Sequence, residues 1–238
     1  MTGKGHQKRI SAPRSWPIEK KTHKFVAKPS PGPHSEENSL PLMVILRDML
    51  KLASYAKWIK RILHEGQVLV NGEVRKDHRF PVGIFDVVSI PTADQHYRIL
   101  IDKKGRLTLK QTQDRNLKLC RISDKTTLRK GAIQLNLSDG LNLIGTNEFK
   151  TGDSLVLSLP DRKIVKHIPR KQGSLAMIVG GSHSGELARL KEVKIIKSSK
   201  PNMVALTTLD GKEEFETIED YVYIIGEEKP AIDLGVTA

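Results

Sequence analysis

The stretch IVGGSHSGEL, residues 178–187, decides between two architectures. Gly180 and Gly185 stand five apart after an apolar run, as in the phosphate loop G-x-x-x-x-G-K-[ST], whose backbone N–H groups cradle a nucleotide and whose lysine leads into a helix. Glu186 and Leu187 occupy the places of that lysine and the hydroxyl residue, so a carboxylate would face the phosphate. The residues that follow, LARLKEVKII, run toward the β-branched Val193, Ile195 and Ile196 and read as a strand. A nucleotide site therefore fails on chemistry and on context, and a strand–loop–strand unit remains.

Extended to residues 173–193, GSLAMIVGGSHSGELARLKEV, this unit resembles a KOW motif, a barrel-forming element of ribosomal proteins and transcription elongation factors. The expectation is a small SH3-like barrel in which Gly180, Gly181 and Gly185 allow a tight turn with backbone open to a ligand. His183, Arg189 and Lys191 keep its surroundings hydrogen-bonding and basic.

Upstream, residues 97–167 alternate apolar and polar side chains with period two, as in Ile99/Ile101, Leu117/Leu119, Ile133/Leu135/Leu137 and Leu155/Leu157/Leu159. Turn pairs such as Asp139-Gly140 and Gly152-Asp153 separate them, which predicts a barrel-like β domain over 93–172. Further upstream the period becomes helical. Leu42, Ile45, Leu46 and Met49 repeat after a Ser39 cap with Pro41 in the first turn. A second helix, capped by Ser54 and ended by Gly66, buries Ala56, Ile59, Ile62 and Leu63 while Lys57, Lys60, Arg61 and His64 line the adjacent side. In QVLVNGEVRKD, Val68 and Val70 then lead into Asn71-Gly72, a strong type I′ hairpin signal.

The order helix, basic helix, glycine, VLVNG and closing strand over residues 42–91 resembles the αL RNA-binding module of ribosomal protein S-four, with Phe85-Asp86 where that module usually has Gly-Asp. The basic stripe of the second helix, with Arg47, Lys51, Arg75, Lys76 and Arg79, is expected to follow an RNA backbone.

Composition agrees with a polyanionic partner. The 238 residues carry 40 Lys+Arg against 27 Asp+Glu, a net charge of +13. Residues 1–28 hold Lys4, Lys8, Arg9, Arg14, Lys20, Lys21, Lys24 and Lys28 against Glu19 alone, with Trp16 and Phe25 among them. We expect an extended arm in which rings stack on bases and cations neutralise phosphates. Residues 28–41, with four prolines, read as a linker. The C-terminal end is acidic, and Glu213, Glu214, Glu216, Glu219 and Asp220 are expected to face solvent or a basic neighbouring protein.

A single cysteine, Cys120, excludes an internal disulfide framework and reads as a core thiol in a reducing setting. No apolar run reaches the ~18 residues of a membrane span. The eight histidines are scattered without metal-ligand spacing, and no catalytic triad or cofactor fingerprint is present. KGRLTLKQTQD resembles a pseudouridine-synthase segment, but Thr108 stands where the catalytic aspartate would be.

The arm, with GKGHQKR and WPIEKKTHKF, followed by αL module, β-rich centre and KOW loop, resembles the archaeal and eukaryotic type of ribosomal protein S-four across essentially the whole chain. The resemblance implies an α+β multidomain, non-enzymatic constituent of the small ribosomal subunit, cytoplasmic and ribosome-bound. Its segments would be an arm and linker at 1–41, the αL module at 42–92, the central β domain at 93–172 and the KOW domain at 173–238. Expected partners are small-subunit ribosomal RNA and neighbouring ribosomal proteins, with no cofactor, metal, small-molecule substrate, membrane or homo-oligomer. The alternatives are an RNA-modifying enzyme and an elongation factor carrying the same modules.

Overall fold

The structure is a computed structural model that describes residues 5–235, apart from the Lys130 side chain. It is mostly β-strand with few helices, and the chain divides into two compact units. One holds the chain up to Leu100 together with Arg106–Asn116; the other holds Ile101–Gly105 and the chain from Leu117 onward.

The first unit opens with β1 (Gln7–Lys8) and β2 (Phe25–Val26), an antiparallel pair, and continues through β3 (Ser39–Pro41). Helix α1 (Leu42–Val44) passes directly into a π-helical turn over Ile45–Met49, where Leu50 N–H donates to the Ile45 carbonyl at 2.9 Å. The helical period of Leu42, Ile45 and Leu46 was legible, but Ser39 is not its cap. Ser39 lies in β3, paired with Gly83, and its hydroxyl donates to the Ser35 carbonyl.

Helix α2 (Ala56–His64) also starts without a side-chain cap, so Ser54 does not serve as one. It ends before Gly66, whose φ of +77° is the left-handed geometry that favours glycine. Ile59 and Leu63 are fully buried, which anchors one face of α2.

Strands β4 (Leu69–Val70) and β5 (Glu73–Val74) form the expected hairpin, with Asn71 and Gly72 both at positive φ. After β6 (Pro81–Gly83) and β7 (Val87–Ile90) come β8 (Gln95–Ile101) and β9 (Leu107–Gln111). They complete a five-stranded sheet in the order β5-β4-β7-β8-β9. The expected boundary after residue 92 therefore falls between two paired strands, Val87 opposite Arg98.

Phe85 takes a φ of +68° at the turn before β7. A left-handed non-glycine residue costs about 1–3 kcal/mol, and burying a phenylalanine side chain returns about 1.5–3 kcal/mol. The ring is 1% exposed, so the two nearly offset. Asp86 fixes the turn by accepting hydrogen bonds from Gly83 N and Asn71 Nδ2, with the His34 ring at 2.9 Å.

In the second unit, β10 (Leu117–Thr127), β11 (Ile133–Leu137), β12 (Asn142–Gly145), β13 (Ser154–Ser158) and β14 (Ile164–Ile168) form an antiparallel sheet ordered β12-β11-β10-β13-β14. Every apolar alternation read from 117 to 157 falls on one of these strands or its flanks. Cys120 is buried beside Leu135 and Leu155, in accord with a core thiol, and its Sγ lies 3.3 Å from Asp139. Asp139 in turn pairs with the buried Lys118 at 2.6 Å.

The chain ends in β15 (Leu175–Ile178), β16 (Leu187–Lys194), β17 (Met203–Thr208), β18 (Glu214–Ile218) and β19 (Val222–Gly226), ordered β18-β17-β16-β15-β19.

The acidic end is not simply turned to solvent. Glu214 pairs with Lys191, Glu216 with Lys194, Glu219 with Arg170 and Asp220 with Arg121. Burial pushes the Glu219 carboxyl upward, but hydrogen bonds from Asn202 and Arg170 and the charges of Arg170 and Arg121 outweigh it and hold it below the ordinary 4.5. A carboxyl depressed on folding contributes stability that is present above 4.5 and lost as pH falls through the folded value. Glu219→Gln should therefore lower the stability of this unit by about 0.5–1 kcal/mol at neutral pH, since solvent screens a carboxyl that is only partly buried. In urea titrations the gap to wild type should narrow steadily below pH 4.5.

Candidate nucleic-acid interface

The basic residues read from the sequence fall into two groups. Lys51, Lys57, Lys60 and Lys76 are exposed, as is His64, and among the described residues none of the five has an ion-pair partner. On α2 the buried Ile59 and Leu63 turn Lys57, Lys60 and His64 outward, and Lys60 lies near enough to His78 to act on its titration. Burial first, and then the positive charge of Lys60, hold His78 below the usual 6.5, which keeps that imidazole neutral at physiological pH. The free lysines are thus a local concentration of positive charge without internal compensation.

The other cations of this region are engaged. Arg47 bonds Asp48 at 2.9 Å, Arg61 bonds Glu65 at 2.8 Å, and Arg75 pairs with Glu73 while lying 4.6 Å from the Phe80 ring centre. Arg79 donates to the Lys28 carbonyl at 2.8 Å and so ties the proline-rich segment to the body of the unit.

The N-terminal segment departs from the expected extended arm. Lys4 lies outside the described residues. Lys8, Arg14, Lys21 and Lys24 are exposed, but Lys20 donates to the Ala12 carbonyl at 2.9 Å. Arg9 is 3% exposed and bonds the Glu19 carbonyl, with Asp48 at 3.6 Å.

Trp16, expected to stack on bases, is only 2% exposed. Its ring packs in the hydrophobic core of the first unit, and its indole N–H donates to the Glu36 carbonyl at 3.3 Å. A ring sealed in that way has no face to offer a base, so the stacking role is withdrawn. Phe25 is different: it remains 47% exposed, beside His6 and under Lys24.

The glycine loop joins β15 to β16, so a strand follows it and the nucleotide-loop reading is excluded by the fold. Gly185 N donates to the Ile178 carbonyl at 2.7 Å, and Ile178 N donates to the Glu186 carbonyl at 3.0 Å, which closes the loop on itself. Two of its glycines serve packing rather than an open backbone. A Cβ on Gly185 would lie 2.5 Å from the Asp102 carbonyl carbon, and one on Gly180 would lie 2.7 Å from the Tyr221 ring. Gly181 is exposed.

His183 stacks on Phe215 with ring centres 4.0 Å apart and contacts Glu186 at 3.0 Å, while the exposed Arg189 donates to the Gly173 carbonyl. Because Gly185 combines φ +78° with that backbone approach, Gly185→Ala should cost the second unit about 3 kcal/mol or more, read as a lowered urea midpoint.

Sequence reasoning passed over Trp58 and Tyr55. Both are exposed, at 51% and 72%, Trp58 on α2 and Tyr55 immediately before it. Their signal was available, since position 58 falls outside the apolar period set by Ile59 and Leu63.

Comparison with known proteins bears on the family of the chain. The model of Ribosomal family S4e matches residues 93–164, and the RS4NT (NUC023) domain matches residues 1–37. The small ribosomal subunit protein eS4 of Methanocella arvoryzae is 52% identical over 233 residues, covering 98% of both chains. This chain belongs to the ribosomal protein S4e family. The eS4 protein of Archaeoglobus fulgidus is 50% identical, covering 97% of this chain and 98% of its own. The crystal structure of 30S ribosomal protein S4e from Thermoplasma acidophilum matches with a TM-score of 0.68 at 31% identity, over 80% of this chain and 96% of that one. S4e is a family of ribosomal proteins, not of enzymes, which agrees with Thr108 standing where a catalytic aspartate would be needed.

Proposed function

We propose that this S4e chain binds small-subunit ribosomal RNA, chiefly through the exposed face of α2, and supports assembly of the small subunit and translation. The observation that carries this reading is the set of lysines on that face, held outward by buried Ile59 and Leu63 and without acidic partners. Unpaired cations on a rigid helix release condensed counterions when they meet phosphates, at little cost in ordering the backbone.

The functional segments follow the sequence, with β8 and β9 added to the sheet of the αL module expected at 42–92: arm and linker at 1–41, that module, a β-rich centre running on to 172 and a KOW barrel at 173–238. The exposed Lys8, Arg14, Lys21 and Lys24 extend the phosphate-binding surface, and Gly181 and Arg189 give the glycine loop a secondary contact. Neighbouring ribosomal proteins complete the partners. The chain acts in the cytoplasm on the ribosome, without a cofactor.

The test is sedimentation of a tagged full-length copy through a gradient of cell extract. It should travel with the small subunit and be released by high salt. A copy that stays at the top of the gradient in low salt overturns the proposal.

A further inference from the structure

We infer that Trp58 is a base-stacking platform, on which an unpaired nucleotide of the bound RNA lies at the edge of the basic stripe formed by Lys57, Arg61 and His64; this rests on the RNA-binding function proposed above. Aromatic residues make up only 5% of the chain, and most of the hydrophobic interior is aliphatic. A tryptophan left 51% exposed on a helix whose core face is supplied by Ile59 and Leu63 contributes little to packing.

The ring is nonetheless held. Arg61 places its guanidinium 6.0 Å from the Trp58 ring centre, and the 2.8 Å bond to Glu65 one turn on fixes Arg61 in turn. Tyr55, which precedes α2 and is 72% exposed, adds a second ring to the same end of the helix.

Charge decides the occupant. An apolar protein surface that covered Trp58 and the adjoining edge of the stripe would strip water from the unpaired Lys57 without neutralising it, a desolvation cost with no return. A ribose-phosphate chain along the stripe neutralises that charge and presents a flat base to the ring. Bases inside a duplex are already stacked, so the nucleotide is one from a loop, bulge or strand end.

The test uses the full chain and a transcript of the Methanocella arvoryzae small-subunit ribosomal RNA. Trp58→Ala should bind about tenfold more weakly, within the range expected for losing one stacked base, with the slope of log affinity against log salt unchanged. Trp58→Phe should bind nearly as wild type, and Trp58→Leu should bind as poorly as the alanine variant. Tryptophan emission should be quenched on binding in the wild type and unchanged in Trp58→Phe, because Trp16 is sealed in the core.

A Trp58→Ala protein that binds the transcript as tightly as wild type overturns the inference and leaves the lysine face standing. If that variant also fails to enter the subunit, the occupant is a protein. Leucine rescuing as well as phenylalanine overturns stacking in favour of plain apolar contact. A wild-type chain with no salt-dependent binding overturns both the inference and the proposed function.

Discussion

Reversing two charges on α2, Lys57→Glu with Lys60→Glu, is expected to weaken binding to small-subunit ribosomal RNA by roughly 100-fold near physiological salt and to lower the salt slope by about two. Each lysine that meets a phosphate releases about one counterion, so losing two contacts removes that much of the dependence, and the introduced carboxylates add repulsion. Both side chains are exposed and unpaired, so the fold should not change. The paired cations provide the contrast. Arg47 already bonds Asp48, and Arg47→Ala should cost less than about threefold. Filter binding over a salt series measures both. Equal losses for the two variants would mean that exposure and pairing do not select the contact residues.

Trp16→Ala is expected to destabilise the first unit by about 3–5 kcal/mol, the cost of removing a large aromatic side chain from a packed core. The ring is 2% exposed and lies against the same cluster that buries Leu40, Ile45 and Leu63. Its N–H also leaves the Glu36 carbonyl without a donor. Urea titration followed by circular dichroism reads the change. Were Trp16 instead a stacking residue, the variant would keep its stability and lose only RNA affinity. Removing residues 1–28 would take this ring away as well, so truncation cannot isolate the charge of that segment from its part in the core.

Much of the architecture was legible because it rests on short-range pattern. Period-two alternation located the strands from Leu117 to Leu157, and Asn71-Gly72 located the β4–β5 hairpin because a turn of that hand needs two residues at positive φ. The outward face of α2 followed from the spacing of Ile59 and Leu63. What was not legible depends on tertiary partners.

Nothing local distinguishes a buried Trp16 from a free one among charges, since the cluster it joins is built from residues distant in sequence, in α1, α2 and the strands of the first unit. The grouping of β8 and β9 with β7 is likewise a matter of pairing, not of alternation. Cation pairing was equally hidden: Lys191 and Lys194 meet Glu214 and Glu216 only because β16 and β18 lie on either side of β17 in the last sheet, so that the pairs reach across it. The acidic end thereby tempers the charge of its own unit.

The hydrogen bond from Leu107 N to the Ser15 carbonyl closes the first unit across most of its length, at 2.8 Å. A nascent chain cannot make that bond until β9 has left the ribosomal exit tunnel, so the interior around Trp16 waits unsealed while the intervening residues are made. Through that interval the cationic leading segment is tethered to a translating ribosome with its tryptophan uncovered. Synthesis rate and early chaperone capture should accordingly bear on the yield of native protein more heavily than for a domain held together by neighbouring strands alone.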